Sequence, residues 1–129
     1  MRPLSGRISS YAGYRVSPIH GRREFHDGVD IAVPEGTPIV APRDGYVAAT
    51  GYSPSFGLFL RLAHGGGYTT FFAHLSHVPV ETGQPVALGE RVAYSGNTGW
   101  STAPHLHFSV FRDGAFVDPL DYMDFAYDA

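Results

Sequence analysis

Glycine or proline interrupts nearly every ten-residue window of this 129-residue chain, with sixteen glycines and ten prolines in all. An amphipathic helix needs apolar residues recurring every three to four positions over several uninterrupted turns, and no stretch here offers that. Such punctuation permits short strands joined by tight turns. Asp30 to Val33 is followed by Pro34-Glu35-Gly36, and Pro38 to Ala41 by Pro42-Arg43-Asp44-Gly45, each a strand running into a turn. Tyr46 to Tyr52 is rich in strand formers, and Gly57 to Leu62 alternates leucines with Phe59 and Arg61. Gly65-Gly66-Gly67 links that run to Tyr68 to His74 and predicts a hairpin. Arg91 to Ser95 and His105 to Phe111 read as further strands, and Arg112-Asp113-Gly114 turns the chain into Ala115 to Val117. Asp118-Pro119 caps one short terminal helix through Tyr122. The expectation is a single all-β domain over residues 1–129, an antiparallel sandwich or barrel-like fold with long loops framing a groove. Arg7 to Phe25 and Gly96 to Pro104 carry little regular pattern and read as those loops.

Composition narrows the function. Hydrophobic residues make up 43% of the chain and charged residues 16%, which supports one real core and argues against disorder. The net charge is −3 and no basic stripe appears, so nucleic acid is a poor partner. No window is long and apolar enough for a membrane span, and Met1 to Ser10 does not resemble a secretory signal segment. With no cysteine, any metal must be held by histidine and carboxylate.

The seven histidines have unlike contexts. His105 and His107 open an apolar strand two residues apart, so both imidazoles face one way. They share a metal, or one binds it while the other works on water, or they are merely a surface pair. His26 and Asp30 share a face if their segment is extended, and both are good zinc ligands; Asp27, directly before Gly28, belongs to a turn. His74 ends an aromatic strand. His64, beside the glycine run, and His77, before Val78-Pro79, read as exposed loop residues, while His20 lies in the first long loop. Two histidines and one aspartate would leave a fourth coordination position open to water, the arrangement of a catalytic zinc site, and His74 and His105 would remain to move protons.

His26-x-x-x-Asp30, the run Phe72-Ala73-His74-Leu75 and His105-x-His107 together resemble the lysostaphin/LytM-type zinc metallopeptidases in order and approximate spacing. Gly28 to Ala32, Gly36 to Ala41 with Asp44-Gly45, Ser95 to Gly99, Ser101 to Phe108 and Asp118-Pro119-Leu120 are similar to that family's flanking segments, so the likeness runs from about Ile8 to Tyr122. The resemblance implies one Zn2+ per chain held by His26, Asp30 and His107, with His74 and His105 as catalytic histidines. It implies an endopeptidase that hydrolyses peptide bonds in peptidoglycan cross-links through a metal-activated water. It further implies an extracytoplasmic setting, with a monomer as the default. Members lacking these residues serve as activators of other wall hydrolases, so a non-catalytic wall-binding or activating module is the alternative. Phe72 stands where a tyrosine is usual and Ala12 where a phenylalanine is usual, which bears on groove lining and packing. Trp100 and Tyr52 are candidates for the groove wall, and Tyr14 or His20 for a position facing substrate.

Overall fold

The structure, a computed structural model, describes residues 2–121. Twelve strands follow in chain order: β1 (Arg7–Ser10), β2 (Gly13–Val16), β3 (Arg23–His26), β4 (Val29–Ala32), β5 (Pro38–Val40), β6 (Gly45–Ser53), β7 (Gly57–Ala63), β8 (Tyr68–His77), β9 (Pro85–Val86), β10 (Arg91–Ser95), β11 (Leu106–Arg112) and β12 (Ala115–Val117). The described helical residues are two 3-10 turns, Gly65–Gly67 and Pro119–Asp121. All described pairings are antiparallel. One ten-stranded sheet runs β1-β4-β11-β8-β7-β6-β9, with β12 on β11 and β10 joining β8 to β5; β2 and β3 form a separate two-stranded sheet. The fold is all-β and antiparallel, as its punctuation requires, and the sheet stays open rather than closing into a barrel.

The long first loop is more regular than its sequence suggests. Arg7 to Phe25 contains β1, β2 and most of β3, four-residue strands too short and too exposed to show a clean alternation. The terminal helix is one 3-10 turn, in which the Asp118 carboxylate accepts the Leu120 amide at 3.1 Å; Tyr122 lies outside the described residues. The triglycine hairpin forms between β7 and β8. The Arg112 to Ala115 hairpin also forms, with Asp113 and Gly114 at φ 51° and 81°.

The core lies beneath the central strands. Leu60, Leu62, Phe72, Leu75, Val92, Leu106 and Phe108 are fully buried there with Val29, Ile31 and Ile39. Phe72 packs on Phe108, with ring centroids 5.2 Å apart. The departure at Phe72 is therefore a matter of core packing and not of groove lining. The fully buried Phe72 position offers a hydroxyl no water, whereas an apolar ring contributes by area alone.

The main sheet divides along β8. Residues Tyr68 to Ala73 pair with β11, whereas Leu75 and His77 pair with β10. β10 and β11 diverge at His74, and a bridge between Gly96 and His105 spans the gap. That division opens the sheet surface where the polar residues collect.

Candidate active site

Three strands bring the first cluster together by register. Asp30 of β4 stands opposite His107 of β11, and His107 stands opposite Ala73 of β8. His26 arrives differently from expectation. It does not share one extended segment with Asp30: it ends β3 in the small sheet, and Asp27-Gly28 turns the chain into β4. Gly28 lets that turn press against β11, because a Cβ there would meet the Phe108 carbonyl at 2.6 Å and the His107 ring at 2.8 Å. The outcome is the same face by another route. His26 Nε2 lies 3.2 Å from Asp30 Oδ1, and His107 Nδ1 lies 3.1 Å from both.

All three residues are buried, and their ligand atoms lie within 4.8 Å of one another. His26 Nδ1 contacts the Tyr11 carbonyl at 3.1 Å; a carbonyl only accepts, so Nδ1 carries the proton and Nε2 presents a lone pair. His107 Nε2 bonds the Ser109 hydroxyl at 2.9 Å, which leaves Nδ1 facing the cluster. The Asp30 carboxylate completes it. Burial acts to raise its pKa, but the hydrogen bonds and charge of His107 and His26 outweigh burial and hold it well below the usual carboxylate range. Its other oxygen accepts from Arg15 Nη1 at 2.9 Å, and Arg15 in turn binds Glu24 at 3.1 Å and Ser10 at 2.8 Å. Donor atoms gathered this closely could hold a metal ion among them. Their outward atoms are already fixed by partners, the usual support of a metal site. The donor set fits a divalent metal of the zinc type.

His74 and His105 stand beside this cluster, with ring centroids 4.8 Å apart. His74 donates Nδ1–H to the Thr98 carbonyl at 2.7 Å, and His105 donates Nδ1–H to the Ala103 carbonyl at 2.8 Å. Both rings therefore keep Nε2 unprotonated in the neutral state, and His105 Nε2 lies 3.7 Å from Asp30 Oδ1. Burial pushes the His74 imidazole down to about 4, and His105 and His107 push the same way, against the Thr98 carbonyl and Asp30. His74 is thus neutral at pH 7. His105, in the bridge just before β11, and His107 do face the same groove, yet only His107 joins the metal-type cluster.

A groove of about 460 Å³ opens over these residues, lined by Arg7, Asp30, His74, Trp100, His105 and His107 among others. A second arm of about 240 Å³ is lined by His20, Glu24, His26, Asp27, Phe56 and again Trp100. Trp100 borders both arms, held by its backbone bond to Ser55 at 2.9 Å. Gly99 makes that approach possible at φ 76°, since a side chain there would collide with the 55–57 backbone. Of the other wall candidates, His20 lines the second arm, while Tyr14 and Tyr52 line neither arm and are largely exposed. His64 is not an exposed loop residue. It is buried, donating to the Asp44 carbonyl and accepting from the Thr70 hydroxyl, each at 2.8 Å. His77 is exposed as expected, though it ends β8 and stacks on Tyr94. Arg15 is the residue whose role sequence reasoning missed; its signal was its place in the run Gly13-Tyr14-Arg15, which is similar to a family element, within a segment taken for loop.

The sequence profile of peptidase family M23 matches residues 24–119, which span both the metal-type cluster and the two adjoining histidines. The chain belongs to peptidase family M23. Across 115 residues it is 40% identical to the peptidoglycan DD-endopeptidase ShyA of Vibrio cholerae, a match covering 88% of this chain and 27% of that protein. A zinc-containing peptidase from Vibrio cholerae superposes with a TM-score of 0.82 at 36% identity, covering 91% of this chain and 37% of the other. The catalytic domain of lysostaphin from Staphylococcus simulans superposes at 0.76 with 32% identity, covering 93% and 91% of the two chains. The chain spans about a quarter of the length of the curated relatives it matches. The resemblance read from the motifs is therefore correct at the level of family and fold.

Proposed function

We propose that this M23 domain is a zinc-dependent endopeptidase that hydrolyses peptide bonds in peptidoglycan cross-links. The observation that carries the reading is the convergence of His26 Nε2, Asp30 Oδ1 and His107 Nδ1 beside two anchored imidazoles, at the floor of an open groove. The DD-endopeptidase activity in the name of the Vibrio cholerae relative and the zinc of the solved peptidase support it. The polymer lies outside the cytoplasm, and the domain acts there as a monomer with one zinc.

His26, Asp30 and His107 would hold the metal, which when bound supplies Lewis acidity that makes water nucleophilic at neutral pH. Arg15 holds Asp30 Oδ2, so the carboxylate presents Oδ1 to the cluster. His74 and His105 present Nε2 to the groove. One imidazole accepts the proton of the attacking water. The same ring then passes that proton from Nε2 to the leaving amine, and the second imidazole donates to the developing oxyanion in the state in which its own Nε2 is protonated. The backbone carbonyls of Thr98 and Ala103 fix both tautomers throughout.

Defined cross-linked muropeptides, digested and read by mass spectrometry, test the assignment. Cleavage at a cross-link amide, abolished by chelation and restored by zinc, is expected. His105→Ala should keep its zinc by metal analysis and lose roughly 10²–10⁴-fold in rate. An undiminished rate in zinc-replete His105→Ala would remove His105 from the chemistry, and cleavage that survives chelation would sink the metal mechanism.

A further inference from the structure

The groove carries a charge that catalysis does not use. Arg7 sits on β1, the edge strand, opposite Ala32 of β4. Ile8 packs against the core, so strand alternation turns Arg7 outward to the face that bears Asp30 and Ala32. From Ala32 to Asp30 is two residues along one strand, roughly 7 Å. Arg7 therefore lines the groove one or two residues of extended peptide away from the metal-type cluster. Among the described residues its guanidinium has no hydrogen bond, ion pair or ring partner. Arg15, Arg23, Arg43, Arg61 and Arg112, by contrast, each lie against an acid or an aromatic ring.

The two arms of the groove differ in charge. Asp30 is the one carboxylate among the residues lining the Arg7 arm, and Arg15 already holds it. The other arm contains Glu24, which Arg15 also holds, and in addition Asp27, so it carries one more carboxylate than the Arg7 arm and lacks Arg7. A metal at the cluster would add positive charge to both arms, since His107 lines each. A planar guanidinium with free N–H groups is built for two parallel bonds to a carboxylate.

We propose that Arg7 is a specificity-determining residue that binds a substrate carboxylate within about two residues of the scissile amide. The inference rests on the endopeptidase reading and sharpens it. A cross-link made directly through a diamino diacid keeps such a carboxylate beside the acylated nitrogen. A glycyl bridge carries none along its length. Such a contact at Arg7 favours carboxylate-bearing direct cross-links over neutral glycine bridges, in keeping with the DD-endopeptidase name of the Vibrio cholerae relative. Two carboxylates of such a substrate meet the requirement: that of the diamino acid at the cross-link and that of the free peptide C-terminus.

Three synthetic cross-linked peptides separate them: the parent with meso-diaminopimelate, the same peptide amidated at the diaminopimelate carboxylate next to the cross-link, and one amidated at the free C-terminus. The zinc-loaded wild type should lose about tenfold in kcat/KM on one amidated peptide, the size expected of one charge-assisted contact at a partly solvated site. Which peptide suffers identifies the carboxylate. In Arg7→Gln the ratio between that peptide and the parent should collapse toward one, whereas Arg7→Lys retains part of it. The same three peptides titrated into metal-free wild type and Arg7→Gln give a binding readout independent of turnover, with the same preference present in one and lost in the other. A discrimination equal in wild type and Arg7→Gln, or absent from wild type, overturns the assignment. Should zinc-loaded wild type cleave none of the three, the endopeptidase reading falls, and the metal-free titration still decides whether Arg7 reads a carboxylate.

Discussion

Four imidazoles in this domain are oriented by one device. His26, His64, His74 and His105 each donate Nδ1–H to a backbone carbonyl, of Tyr11, Asp44, Thr98 and Ala103 respectively. What separates them is the fate of Nε2. Three aim it at the metal-type cluster or the groove, and His64 closes it with the Thr70 hydroxyl. His64 therefore has no valence left for chemistry and belongs to the scaffold. Burial pushes its pKa below the ordinary value, and the Arg43 charge adds to this, against the pull of the Asp44 carbonyl. The unfolded chain takes up a proton at His64 near pH 6.5, before the folded chain does. Its contribution is complete above that pH and is lost as pH falls toward the lower folded value. Urea unfolding of metal-free protein between pH 5 and 8 should show a steeper acid loss of stability in wild type than in His64→Gln. Superimposable pH profiles would contradict the account. The sequence could not show this, because partners twenty residues upstream and six downstream make His64 structural, while its local text reads as a glycine-rich loop. His26, Asp30, His74, His105 and His107 were legible since their spacing and neighbours fall into motifs. Arg15 was not, since its role depends on an ion pair across two separate sheets.

At the scale of the strand, His74 is the exception to regular geometry. It lies inside β8 yet has φ 61°, a region that L-residues other than glycine rarely occupy. The β7–β8 register slips between Leu58 and Leu60, opposite this point, and the β8–β10 register slips just beyond it. An irregularity of that kind re-aims a side chain out of the pleat. Here it turns the imidazole into the groove at the place where β10 and β11 part. The chain tolerates the strain because His74 N–H bonds the Phe56 carbonyl at 2.8 Å and its ring bonds Thr98. The cost should appear in a comparison of two inactive variants. Glycine normally destabilises a strand relative to alanine, but His74→Gly should be more stable than His74→Ala by about 1 kcal/mol, because only glycine adopts this φ freely. Chemical denaturation of the two checks it, and the ordinary order, alanine above glycine, would show that the backbone here is unstrained. Alternation and turn chemistry made β6, β7, β8 and β11 legible in advance. A bulge leaves no such trace, since one residue in left-handed geometry looks like any other histidine at a strand end. The four-residue strands β1 to β3 were hidden for a related reason: each is half exposed, and their pairing is set by partners elsewhere in the fold.

At the scale of the whole molecule, the cluster is a junction between two sheets. β2 and β3 form their own sheet, joined to the larger one through the Asp27-Gly28 turn, the Arg15–Asp30 pair and an edge contact of Phe25 with Phe116. His26 brings the small sheet to the cluster, while Asp30 and His107 belong to the large one. A zinc ion held by all three would therefore fasten the two sheets together as well as serve catalysis. Binding to the folded state alone stabilises it by about 4 kcal/mol when the free metal exceeds Kd a thousandfold. For a domain of this size that corresponds to a fall in Tm on the order of 10 °C when the metal is removed. The loss should be uneven. The core strands β7, β8 and β11 bury Leu60, Leu62, Phe72 and Phe108 whether or not metal is present. The small sheet has exposed Tyr14, Val16 and Phe25 and little core of its own, so it should open first. Amide exchange followed by mass spectrometry, with and without chelator, should show protection lost over Gly13 to His26 well before β7 and β8 respond. Exchange that rises equally everywhere would mean that the metal stabilises the domain globally and that the small sheet is not a separately fastened part.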